Sequence, residues 1–214
     1  MESLSLRKFS VIHKGLNYFP FSINTTWEAN SAVALYGPSG TGRTSWLLSI
    51  GGLMSPSTGE VFIEGRGGQR PLKPRDIGVG PIRDLIPLFP TLTIEEHIKM
   101  HIRLFRAGSI KQRTHQLLQN WRLETVKDQR VMDVNRHLRM RAGIAVALAH
   151  QPHLLLLDDP EEGMTGSEWQ HLWADLSETI AQYSMILITT TMREETVKLC
   201  SHHLDFSQTT EAHP

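Results

Sequence analysis

One cysteine, Cys200, stands in 214 residues, so no internal disulfide can hold this fold together and a reducing compartment is the natural setting. Long apolar runs are missing too. The longest, such as AGIAVALA at 142–149, fall far short of the ~20 residues a bilayer-spanning helix needs, so any membrane role must come through a separate chain. Nothing at the N-terminus joins a charged start to a long apolar stretch as a secretion signal does, and a cytoplasmic chain is expected. Net charge is also absent. The 22 Lys and Arg balance the 22 Asp and Glu, so bulk electrostatics gives no ground for nucleic acid or an anionic membrane as a partner. Internal repeats and low-complexity segments are lacking as well.

What remains is an ordinary globular composition, 40% hydrophobic, long enough for one α/β domain with a helical insertion. A chain of this size buries roughly 70% of its unfolded surface and needs no staples. Its charge is unevenly spread. Lys99–Arg141 holds eleven Lys and Arg against Glu124, Asp128 and Asp133, while Asp158–Glu178 holds seven acids and no Lys or Arg. Solvated helix faces are the plain reading, and a docking surface for an acidic loop or lipid headgroups is the alternative.

Alternation with aromatics over residues 1–30 predicts short strands, and AVALYG at 32–37 a buried strand ending in glycine. Trp46, Leu47, Ile50 and Leu53 are helically spaced, so 44–53 is expected to be a helix stopped by Gly51-Gly52 and Pro56. GEVFIEG at 59–65 reads as a strand, and 66–76 as an exposed loop. Helices are expected over 94–105, capped by Thr93, then over 110–123, 140–151, 167–182 and 193–200. Strands are expected over HLLLLDD at 153–159 and SMILITTT at 184–191, with a polar tail from Ser207. Buried strands alternating with helices imply α/β architecture, a mainly parallel sheet covered on both faces, with a separate helical lobe near 94–140.

Between strand and helix, GPSGTGRTS occupies 37–45. Gly37, Gly42 and Thr44 match the G-x-x-x-x-G-[K]-[ST] phosphate loop, with Arg43 where such a loop carries lysine. Glycines let successive backbone N–H groups point at phosphate oxygens, and the helix start adds partial positive charge. Gly37, Pro38, Ser39, Gly40, Thr41, Gly42, Arg43, Thr44 and Ser45 are therefore candidate nucleotide-binding residues, with the Thr44 hydroxyl a candidate Mg²⁺ ligand. Arginine keeps the charge but presents a wider planar fork than the lysine point charge. In HLLLLDDP, Asp158 emerges at the strand end as the second candidate for Mg²⁺, and Asp159 sits where a base would polarise attacking water.

The phosphate loop, SPSTGEVFIEG at 55–65, FPTLTIEEHI at 89–98 and ALAHQPHLLLLDDP at 147–160 together resemble an ATP-binding cassette (ABC) ATPase over about residues 4–206. The resemblance implies a P-loop NTPase (RecA-like) core with N-terminal antiparallel strands and a helical subdomain, in a single domain over 1–206 followed by a tail at 207–214. It implies binding of ATP and Mg²⁺, a sandwich dimer with a second ABC ATPase subunit, and a transmembrane permease that holds the chain at the inner face of the cell membrane.

Several positions depart from the family pattern. The family's catalytic glutamate falls on Asp159, one methylene shorter, leaving it a poor base. The signature Leu-Ser-Gly-Gly-Gln aligns with Val134-Asn135-Arg136-His137-Leu138. The switch histidine falls on Thr191, the usual loop aspartate on Thr165, and the glutamine-loop position on Ile82 or Asp84. Phe9, His13 and Tyr18 are candidates for stacking on adenine. These changes gather on residues that act on the γ-phosphate and spare the packing core. The expectation is an ATP-binding subunit with weak or no intrinsic hydrolysis, in a homo- or heterodimer. The alternatives are a slow homodimeric ATPase, a soluble regulatory cassette, or a small P-loop kinase.

Elsewhere, His97 and His101 stand i, i+4 like metal ligands, but without a third ligand they read as surface histidines, as do His202 and His203. Trp169 and Trp173 read as core, and Cys200 as a buried structural thiol.

Overall fold

The computed structural model describes residues 2–13, 16–17, 22–56, 58–82, 85 and 88–207. Two sheets form its core. The first is antiparallel, with spatial order β4-β1-β6-β7, built from β1 (Ser3–Ser10), β4 (Ile23–Glu28), β6 (Thr58–Gly65) and β7 (Gly68–Pro71). A small pair, β2 (Ile12–His13) and β3 (Leu16–Asn17), lies beside it in sequence.

The second sheet is parallel throughout, in the order β11-β5-β10-β9-β8: His202–Asp205, Ala32–Tyr36, Ile186–Thr191, Leu154–Leu157 and Ile77–Val79. Its central strands read as continuous apolar runs because both faces are covered. All four leucines of β9 and all six residues of β10 are buried.

Between the sheets, α1 (Arg43–Ile50) buries Trp46, which meets Phe9 and Phe206 edge-on at ring-centroid distances of 5.1 and 5.6 Å. On the other side lies the helical lobe, with α2 (Ile94–Phe105), α3 (Ile110–Asn120) and α4 (Arg136–Ala147). Ile94, Ile98 and Ile102 of α2 pack with Leu117 and Trp121 in a core that continues to β9 and to α5 (Gly166–Tyr183). Helix α4 can lie close to the parallel sheet because Gly143 leaves room: a Cβ there would stand 2.0 Å from Pro81 Cγ. The last helix is α6 (Glu194–Leu199). Among the described residues no helix is long and apolar enough to cross a membrane.

The structure corrects several expectations. Residues 66–76 are not simply a loop: they contain β7 and a 3₁₀ turn, Pro74–Asp76, and Arg70 grips the buried Asp76 carboxylate with two bonds of 2.7 Å. Helix α4 begins at Arg136, not 140, because the Asn135 side chain accepts from the Leu138 N–H at 2.9 Å and caps it. The helices expected over 44–53 and 110–123 end at Ile50 and Asn120, and β8 and β11 were not anticipated.

The basic run is not only solvated face. Arg113 is buried and donates to the carbonyls of Leu148 and Ala149 at 2.8 and 3.3 Å, closing the C-terminus of α4. Arg141 is buried against Asp175 at 2.6 Å. His97 is 2% exposed rather than a surface group, and its Nε2 lies 3.1 Å from the Phe89 carbonyl. His101 is only half-exposed. Trp169 and Trp173 are core, His202 and His203 are exposed, and burial pushes the Cys200 thiol up to about 12.

Candidate nucleotide site

Strand β5 ends at Tyr36, and the chain turns through residues 37–42 before α1 starts. Gly42 caps the helix with φ 89°, a left-handed geometry glycine adopts without a Cβ penalty. No acid stands in the first turn of α1, so the positive end of the helix faces the loop uncompensated. A Cβ built at Gly40 would meet nothing within 4 Å, so the loop's outer side is open to an anion. Pro38 accepts from the Thr41 hydroxyl at 2.8 Å, which stiffens the turn.

The carboxylates arrive from β9. Because β9 and β10 are in parallel register with Thr189 beside Leu157, the next residues of each strand, Asp158 and Thr190, come together. The Thr190 hydroxyl donates to Asp158 Oδ1 at 2.8 Å and accepts from the Asp159 N–H at 2.7 Å. From the other side the Thr44 hydroxyl reaches the Asp158 carboxylate at 3.0 and 3.2 Å. Burial pushes the Asp158 carboxyl above its ordinary value, while the hydroxyls of Thr190 and Thr44 pull it down. An all-oxygen cluster around a carboxylate that burial disfavours is a donor set suited to a hard divalent cation, so Thr44 and Asp158 fit Mg²⁺.

Arg43 and Asp159 belong to one another. Arg43 Nη1 donates to Asp159 Oδ1 at 2.7 Å and Nη2 to Oδ2 at 3.2 Å, a fork on both carboxylate oxygens. The Arg43 side chain is 6% exposed and that of Asp159 27%. Asp159 holds a left-handed φ of 40°, a geometry that costs a non-glycine residue roughly 1–2 kcal/mol. The bond from its N–H to Thr190 and the grip of Arg43 hold it there. Arg43 and Asp159, expected from sequence at the lysine and base positions, thus satisfy each other.

Thr191, Thr165 and Arg136, singled out in the sequence, each find partners within the protein. The Thr191 hydroxyl donates to the buried Glu161 carboxyl and accepts from the Arg193 N–H at 3.0 Å. Burial raises the Glu161 carboxyl, and Arg193 donates to its backbone carbonyl at 3.2 Å. Thr165 caps α5, accepting from the Glu168 N–H at 3.3 Å while Glu168 binds the Thr165 N–H at 2.8 Å. Arg136 is drawn back onto Glu162, with Nη2 to Oε2 at 2.5 Å. Ile82 is buried in the core, and Asp84 lies outside the described residues. Phe9 is fully buried against Trp46, which removes it as an adenine-stacking surface. Tyr18 and the side chain of His13 lie outside the described residues.

Thr190, Glu161 and the Arg43–Asp159 pair were not found from sequence. The run of threonines ending β10 was the one signal for Thr190, since consecutive hydroxyls on a buried strand need partners.

A cavity of about 700 Å³ opens beside this cluster, lined by Ser39, Asp158 and Asp159 together with Arg136, Met132 and Met192. That volume lies within the range of small-molecule sites.

Known proteins share this sequence pattern and this fold. Residues 21–162 match the family model described as ABC transporter. A Nod factor export ATP-binding protein I of Cupriavidus metallidurans is 31% identical over 177 residues, covering 82% of this chain and 58% of that protein. One from Rhizobium meliloti is 32% identical over 182 residues, covering 83% and 54%. The chain therefore spans a little over half the length of these relatives. Among solved structures, cbiO1 from Clostridium perfringens, part of the ABC transporter complex cbiONQ, superposes with a TM-score of 0.78 at 17% identity, covering 97% of this chain and 86% of that one. An ATP-binding subunit of an ABC transporter gives 0.77 at 22% identity, covering 95% and 85%. With a family model spanning most of the sequence, and the P-loop fold beneath it, the chain belongs to the ABC transporter family and has the fold of its ATP-binding subunits.

Proposed function

We propose that this chain binds Mg-ATP as an ATP-binding subunit of a transporter, and that its own site hydrolyses ATP weakly or not at all. In this reading a second ABC subunit completes the nucleotide site across a dimer interface. A transmembrane permease holds the pair at the cytoplasmic face of the membrane. Its relatives include ATP-binding proteins named for export and for import, so the transporter reading is drawn from what they share.

One observation carries the catalytic part: the Arg43 fork occupies both oxygens of Asp159. Binding can survive this. The backbone N–H groups of residues 39–44 can hold the phosphates without any side chain, the α1 start adds its dipole, and Thr44 and Asp158 would hold the cation, which supplies charge neutralisation when bound. Hydrolysis needs more. Asp159 is a methylene shorter than glutamate, is already the counter-ion of Arg43, and has a lone pair of each oxygen committed to that fork, so turning toward an attacking water breaks at least one of these bonds. A charge-assisted hydrogen bond is worth about 1.5–3 kcal/mol, so breaking even one slows the step about 10–100-fold. Thr191, facing Glu161, offers no imidazole to hold the attacked phosphate.

The test is a gain of function. Arg43→Lys together with Asp159→Glu removes the fork and restores the longer carboxylate. Measured by phosphate release in complex with permease and partner subunit, it is expected to raise turnover of this site at least tenfold over the natural chain. Vigorous hydrolysis by the natural chain, abolished by Arg43→Ala, would defeat the proposal.

A further inference from the structure

On the helical lobe, well away in sequence from the phosphate loop, α2, α3 and the 3₁₀ turn Glu124–Val126 enclose a second cavity of about 730 Å³. The turn is fastened to the start of α2, where the Glu95 N–H donates to the Lys127 carbonyl at 3.0 Å. Lys99 and Arg103 line the cavity from α2, Lys111 and His115 from α3, and Lys127 from beyond the turn. Two acids, Glu95 and Glu124, stand among the four permanent cations, Lys99, Arg103, Lys111 and Lys127, and Glu95 is matched by Lys99 at 2.7 Å. Arg103, Lys111 and Lys127 have no ion-pair partner among the described residues. Four cations against two acids leave the wall about two positive charges in excess at neutral pH.

A second feature points the same way. Thr114, which also lines the cavity, is 2% exposed, and its hydroxyl has no hydrogen-bond partner. A helical threonine ordinarily bonds the carbonyl one turn back, and a buried hydroxyl left unsatisfied costs about 1–3 kcal/mol. An unpartnered hydroxyl beside three unpaired cations is a donor set that an anion can satisfy.

We propose that this cavity binds a phosphate-bearing ligand, a soluble phosphate ester or a phospholipid headgroup, through Arg103, Lys111, Lys127 and the Thr114 hydroxyl. The chemistry favours phosphate over an acidic peptide. The cations converge from three elements on one concavity within the range of small-molecule sites, rather than forming a long stripe. A phosphate dianion matches the surplus charge, and a guanidinium fork pairs with two of its oxygens at once. The cavity shares no residue with the one at the phosphate loop, so this proposal and the nucleotide reading stand or fall separately.

Titrating the isotope-labelled full chain with pyrophosphate, and reading amide shifts by NMR, tests it. Saturable shifts are expected at Lys111, Thr114 and His115. In Arg103→Ala/Lys111→Ala, both exposed positions, the midpoint is expected to rise at least tenfold while the phosphate-loop signals keep theirs. Thr114→Val, with an unchanged circular dichroism spectrum, is expected to raise it several-fold. Flotation with phosphatidylglycerol vesicles but not phosphatidylcholine vesicles, abolished by the double variant, assigns the headgroup. Saturation by pyrophosphate without flotation assigns a soluble ester. The proposal is overturned by any of three results: neither shifts nor flotation, binding indifferent to the double variant, or saturation by a polyglutamate peptide but not pyrophosphate.

Discussion

Replacing Asp159 with asparagine isolates the pair at the centre of the site. The carboxamide keeps the size of the side chain and one oxygen to accept from Arg43, but removes the charge opposite a guanidinium that is 6% exposed. Removing one partner of a fully buried pair costs about 3–5 kcal/mol. Asp159 is partly open to solvent, so the loss of a single charge-assisted bond, about 1.5–3 kcal/mol, is the better scale. In a chain of this length each kcal/mol moves Tm by about 2–4 °C, which predicts a fall of about 3–12 °C without nucleotide. The freed cation then seeks another anion, and a bound phosphate competes for it with the neighbouring Asp158. Part of the lost energy should reappear as affinity: recovery of about 1.4 kcal/mol makes Mg-ATP bind tenfold more tightly. Differential scanning fluorimetry with and without Mg-ATP, with calorimetry for the affinity, reads both halves. Glu178→Gln, an exposed acid on α5 that lines neither cavity, serves as the control and should change neither. An Asp159→Asn chain as stable as the parent that binds Mg-ATP no better would refute the reasoning, because Arg43 would not then depend on Asp159.

Burial lowers the pKa of His97, His101 and His150, and Phe105 stacks on His150 with ring centroids 3.9 Å apart. Their folded pKa values lie below the unfolded value of about 6.5, so the unfolded chain binds more protons below that pH. Stability should therefore hold above pH 6.5 and fall as pH drops toward the folded pKa values, by up to about 1.4 kcal/mol per pH unit for each histidine. His150→Gln should flatten that slope in denaturant melts, and an unchanged slope would contradict the assignment. Arg113→Met keeps most of the side-chain volume but leaves the Leu148 and Ala149 carbonyls without their donor. A loss of about 1–3 kcal/mol is expected in urea melts, and a neutral outcome would show that the α4 terminus does not need the guanidinium.

Much of the fold was legible because local signals and burial agree. HLLLLDD reads as a strand covered on both sides, and β9 is that strand. Thr93 and Glu96 announce α2 three residues apart, and both halves of the capping box form. Elements failed to register where sequence carries no period. GQRP is an unpromising strand, yet β7 forms by pairing with β6, and β8 has three residues. The start of α4 was missed because its first turn, RHLR, faces outward and lacks an apolar stripe, and the Asn135 cap was not read as one. His97 was misjudged because a neutral imidazole with one hydrogen bond can be buried at modest cost. At the candidate site, the loop and the two aspartates could be picked out individually. The link between Arg43 and Asp159 could not. They are 116 positions apart, and only the parallel register of β5, β10 and β9 brings the loop and the strand end together.

Nucleotide held but not split is the central claim, and a single-turnover experiment addresses it directly. Trace γ-labelled ATP is mixed with excess chain, Mg²⁺, permease and a partner subunit whose own catalytic carboxylate has been removed, and bound nucleotide and free phosphate are followed in one sample. The account predicts nucleotide retained on the protein with its γ-phosphate intact over many seconds. Release of phosphate at around 10 s⁻¹, the pace of a typical enzyme, or no retained nucleotide at all, would contradict it.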